Sequence, residues 1–223
     1  MWFTASPLRS GRGVAPATNP ADDVWRGVGP SDYYVPAYIG LVMAATGALS
    51  MPVRLAGYRE RGVLRRFRAS GMPLWAILGS QIVLALVTAL VGAVSIAVAS
   101  TMIYGTELLP AHRFQFVVGF VFAALAFAAF GVLLGSVLPT SRSAQGAGIM
   151  LFFVMFLLSG SGPPREVLTG PMRMVGDLLP LSWVVILLQD AWLGFGWATA
   201  ASLVVAGVFA SSAVLAARFF RWE

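Results

Sequence analysis

Cysteine is absent from this chain of 223 residues. Disulfides, thiolate chemistry and thiolate-bound metals are therefore excluded. Lysine is absent as well, so all fifteen basic residues are arginine. A phosphate-cradling loop of the G-x-x-x-x-G-K-[ST] type cannot be built without its lysine. The single histidine, His112, is too little for a clustered metal site and stands outside every apolar run, away from any serine that would need it as a base. Charge is scarce, at 11% of residues against roughly a quarter in soluble domains. An ordinary water-soluble globule is excluded on that ground.

The scarce charges are also clustered. Tyr33–Val53, Ala69–Thr106, Phe114–Ser141, Ser143–Pro164 and Ala191–Ala217 carry none, and each run has at least 21 residues. About 20 apolar residues cross a bilayer core, and mean hydropathy is +0.82. The expected class is an all-α polytopic helical membrane protein with five spans, at about 35–57, 74–104, 114–138, 144–158 and 192–217. Residues 1–34 are polar and rich in proline and glycine, and form an expected irregular extracytoplasmic segment. They lack the apolar core of a signal peptide. Trp25, Tyr33, Tyr34 and Tyr38 suit headgroup depth. Residues 163–190, divided by Pro171, Gly176 and Pro180, predict short helices that dip into one membrane face as an external re-entrant hairpin.

With Arg54–Arg68 placed in the cytoplasm, the inner segments hold nine Arg and two acids, and the outer ones six Arg and seven acids. The positive-inside rule favours that orientation, with the N-terminus outside. The net charge of +6 is then loop arginine, and nucleic acid is not called for.

Residues 58–71 form the most informative stretch. On a helix, Leu64 and Phe67 share a face with Val63, while Arg61, Arg65 and Arg68 share another. This reads as an amphipathic helix on the membrane surface. Glu60 has no arginine three or four residues away, so it lacks the usual intrahelical partner and is free to find one elsewhere. A solvated loop touching only anionic membrane lipid is the other reading of the same residues.

The run Arg59-Glu60-Arg61-Gly62-Val63-Leu64-Arg65-Arg66-Phe67-Arg68-Ala69-Ser70-Gly71-Met72-Pro73 resembles the R-E-R-G-x-L-R-R-x-R-A-x-x-x-P loop of ABC-2-type transporter permeases, notably the daunorubicin-resistance-like branch. Further matches follow in order. Phe130-Gly131, Gly135-Ser136-Val137-Leu138-Pro139-Thr140 and Ala144-Gln145-Gly146 resemble the region joining the family's fourth and fifth helices. Leu158-Ser159-Gly160, Pro163-Pro164 and Leu179-Pro180-Leu181-Ser182-Trp183 resemble its external helical hairpin. The resemblance spans about residues 32–223.

It implies the membrane subunit of an ATP-driven exporter of a drug, lipid or glycolipid. Arg59, Glu60, Arg61, Gly62, Leu64, Arg65, Arg66, Phe67 and Arg68 would couple it to a cytoplasmic ABC ATPase, which would hold the ATP and magnesium. No cofactor is expected in this chain, and no enzyme chemistry of its own. Two permeases, identical or different, would work with two ATPases in the cell membrane. The family usually has six spans and a cytoplasmic N-terminus, so this chain is expected to lack the first span.

No charge is expected near the middle of any span, which speaks against proton relays and charged-ring channels. Thr88 and Ser95 on the second span are candidates to line a route for an apolar or amphiphilic molecule. Ordinary helix–helix packing explains them as well. A non-transporting scaffold or assembly factor and an ATP-independent carrier are the alternatives to the exporter.

Overall fold

A computed structural model describes residues 24–26, 28–71, 73–106 and 110–219, with the backbone alone for Phe67, Arg68, Leu74 and Trp75. Most of the irregular segment expected over 1–34 lies outside the described residues, and the chain is already helical from Pro30. Among the described residues there is no strand.

Helix α1 (Pro30–Ala45) opens with proline and Asp32 in its first turn. Both suit a helix start, where N–H groups lack helical acceptors and the dipole is positive. A π-helical turn, Thr46–Ser50, follows and leads into α2 (Met51–Glu60). Pro52 explains the widened turn. It has no N–H, and its ring crowds the carbonyl four residues back. The Met51 N–H bonds the carbonyl of Thr46 rather than that of Gly47. Together α1, the π turn and α2 make one 31-residue span, Pro30–Glu60.

Gly62, with φ +66, ends that helix, and the seven-residue α3 (Val63–Ala69) follows. The surface helix expected over 58–71 is thus divided. Its first residues belong to the span and only its second half is a separate element.

Helix α4 (Leu74–Tyr104) buries Ile77, Gln81, Ala85, Ala89, Ala93 and Ala97, one residue per turn. Gly105, at φ +67, closes it in the left-handed conformation that glycine tolerates. Helix α5 (Arg113–Val137) is the central post, with α1, α2, α4, α8 and α9 all packed on it. Helix α6 (Ser141–Leu158) starts at a reciprocal cap: the Ser143 N–H donates to Thr140 Oγ1 at 3.0 Å, and the Thr140 N–H to Ser143 Oγ at 3.1 Å.

Two shorter helices follow, α7 (Gly170–Asp177) and α8 (Pro180–Leu193), meeting at 91°. At 1.5 Å per residue α8 is about 21 Å long, short of a bilayer core. Its first turn packs into the bundle. Leu181 and Val184 lie against Gly40, and Pro180 lines an apolar crevice with Phe127 of α5 and Val205 of α9. The last helix, α9 (Thr199–Phe219), packs along α5. It begins after Gly194 and Gly196, both at positive φ. The span expected from 192 therefore starts later, and Trp192 belongs to α8, where it is buried against Phe116.

Among the described residues five helices are long and apolar enough to cross a membrane, or six if the bent pair counts as one span. This is an all-α, multi-pass membrane protein. Its alternating course gathers the end of α2, the α5–α6 turn and the last turn of α9 at one arginine-rich end. A small core there joins Met51, Leu55, Ala85, Ala128, Val132 and Ala216.

Candidate coupling interface

Arg59 is the penultimate residue of α2. Its Nη1 donates to the carbonyl of Ser136 at 3.1 Å, and its Nη2 donates to the carbonyl of Leu138. These carbonyls end α5, where the helix leaves acceptors unsatisfied and its dipole is negative. A planar guanidinium is suited to bridging two of them. Glu60, the next residue, accepts a hydrogen bond from Ser141 Oγ, on the first residue of α6. A carboxylate is favoured at that positive end. Glu60 therefore has a partner after all, on a different helix.

Arg61 turns back on its own helix, its Nε donating to the Gly57 carbonyl at 3.1 Å. Gly62 makes the corner. Leu64 is fully buried, while Arg65 and Arg66 are exposed. A seven-residue helix is not stable alone, and α3 is held by packing on α2. The side chains of Phe67 and Arg68 lie outside the described residues. The result is a short element anchored by one leucine, with arginines facing out.

Thr88 and Ser95 lie on the outward face of α4. Thr88 Oγ1 donates to the Leu84 carbonyl of its own helix at 2.8 Å. Neither residue faces the packed interior of this chain, and neither meets the arginine-rich end.

The opposite end carries polar contacts that sequence reading missed. Arg26 pairs with Asp190 at 2.8 Å and lies 4.5 Å over the Phe195 ring. Gln189, buried, donates to the Tyr33 carbonyl at 3.1 Å. Tyr33 is buried within the protein. Its hydroxyl accepts from the Arg165 N–H at 3.4 Å and donates to Glu166 at 3.4 Å. Tyr34 donates to the Gly162 carbonyl at 2.7 Å. Trp25 meets both rings edge-on, with centroids 5.6 and 5.5 Å away. These contacts staple the residues before α1 and the first turn of α1 to the end of α8 and to the segment before α7. Among the described residues no three metal-ligating side chains come together.

The model of the ABC-2 type transporter family matches residues 23–193, more than half of the chain. The chain belongs to the ABC-2 type transporter family. Searches of curated proteins and of solved structures found no match. The matched stretch of this ABC-2 chain runs from the residues before α1 to the end of α8. It contains the Arg59–Glu60 corner, α3 and the α5–α6 turn. The chain is thus the permease, or membrane, subunit of an ABC transporter.

Proposed function

We propose that this permease is half of an ATP-driven exporter that moves a hydrophobic or amphiphilic molecule, such as a drug, lipid or glycolipid, across a bacterial cell membrane. A separate cytoplasmic ABC ATPase binds ATP and magnesium, and α3 is the element it pushes. The observation that carries this reading is α3 itself. Its buried Leu64 and exposed Arg65 and Arg66 make a short basic element at the arginine-rich end of the bundle. Complementary charge on a partner groove would orient and seat it. Spans with no charge near their middle suit a cargo that needs no ion path.

The test is co-purification of the permease with its cognate ABC ATPase, followed by uptake of a fluorescent short-chain phospholipid into inside-out vesicles. Vanadate-sensitive uptake that needs ATP, with co-purification lost in Arg65→Glu/Arg66→Glu, supports the reading. Uptake without ATP would show an ATP-independent carrier. Absence of both the ATPase and any flux would show a scaffold.

A further inference from the structure

Residues Arg59 and Glu60 divide one turn between them. Arg59 holds the end of α5, Glu60 the start of α6, and only Leu138, Pro139 and Thr140 lie between those two helices. The contacts join positions 77, 79 and 81 residues apart in the chain. Arg59 also has a second attachment. Its carbonyl accepts the Gly62 N–H at 3.0 Å, and the Gly62 carbonyl accepts the Arg66 N–H at 3.2 Å. One residue thus carries the first turn of α3 on its backbone and the last turn of α5 on its side chain.

The exit from α3 passes through Gly71, at φ +73. At its entry α3 joins α2 directly, and there Arg59 adds a side-chain tie to α5 beside the packing of α2 on α5.

We propose that Arg59 is a positioning residue for coupling: its two-carbonyl grip makes α3, α5 and α6 move as one body when the partner ATPase displaces α3. The inference rests on the function proposed above. Lysine would not replace it fully, since a point-charge ammonium lacks the fork that spans two carbonyls. Glu60 contributes the second tie, to α6, but a single hydroxyl bond at an exposed site is the weaker of the two.

The chain's lack of cysteine allows a direct test. Spin labels are placed at Ala69→Cys, the exposed end of α3, and Gln145→Cys, on the exposed face of α6. The distance between them is measured in the nanodisc complex with the cognate ATPase, with and without ATP-vanadate trapping. With Arg59 present the distribution is expected to be narrow and unchanged by trapping. In Arg59→Ala it broadens, and trapping shifts it by about 5 Å, one helical turn, while the ATPase still co-purifies. Arg59→Lys gives an intermediate width, a graded response that simple misfolding would not produce. A narrow, unshifted distribution in Arg59→Ala overturns the proposal and leaves the exporter reading standing. Failure of the unsubstituted permease to hold any ATPase removes both.

Discussion

Gly131 and the carbonyl oxygen of Gly47 meet with no side chain between them: a Cβ at 131 would stand 2.5 Å from that oxygen. The π turn produces this contact. The Met51 N–H is directed to Thr46, and Pro52 has no N–H to offer. The Gly47 carbonyl is thereby released from the usual ladder and turned toward α5. Gly148 of α6 is equally close to the Ala48 carbonyl. Close approach through small residues is how helices gain packing in lipid, where no hydrophobic effect drives them together.

A methyl at either glycine would meet a backbone carbonyl oxygen first, and at 131 the Met51 side chain as well. Gly131→Ala and Gly148→Ala are each expected to cost about 1–3 kcal/mol through overpacking, read as earlier loss of the monodisperse peak after heating in detergent. Gly207→Ala, where nothing lies within 4 Å, is the control. It should be neutral or stabilising by up to about 1 kcal/mol, the helix-propensity difference.

The start of α6 depends on its cap. Thr140→Ala removes the acceptor of the Ser143 N–H and should cost about 1 kcal/mol. Thr140→Ser should restore most of it. Thermal unfolding of the two variants side by side makes the comparison.

Leu64 anchors α3. Leu64→Ala should cost about 2–5 kcal/mol, the range for emptying a buried leucine site. Because the loss falls on a seven-residue helix, it should appear as fast amide exchange over 63–69 while the spans stay protected. Unchanged protection there would show that α3 is held by something else.

Asp190 and Arg26 tether the chain before α1. In Asp190→Asn the pair at 2.8 Å loses its charge, leaving Arg26 on Gln189 and the Phe195 ring. Tryptic cleavage after Arg26 should accelerate by about tenfold, as expected when a segment opens locally more often. An unaltered rate would assign the tether to Trp25 and its tyrosine neighbours instead.

The number of long helices was legible because charge is costly in lipid, and charge-free runs mark the spans. Their ends were less so. The run Ala191–Ala217 contains the last turn of α8, a glycine-bearing loop and α9, all apolar, so composition alone could not place the break at Gly194 and Gly196. Gly62 is the local signal for the corner in the 58–71 stretch, but its positive φ is a conformational fact that hydropathy does not carry. Reading the helix face did show that Glu60 lacked a neighbour. It could not show Ser141 as the partner, because a tertiary cap between residues 81 apart has no sequence period. The same is true of the carbonyls of Ser136 and Leu138, since backbone acceptors have no side-chain identity to read.

The order of the dipeptide at the corner has a consequence of its own. Between α5 and α6 the backbone leaves a negative pole and enters a positive one. Arg59 faces the former and Glu60 the latter. Transposing the two residues would keep composition, net charge and length identical, yet set each group against a like pole. The pair is therefore directional: it reads which way the chain travels through the turn, and a mirror-ordered Glu-Arg could not stand in for it.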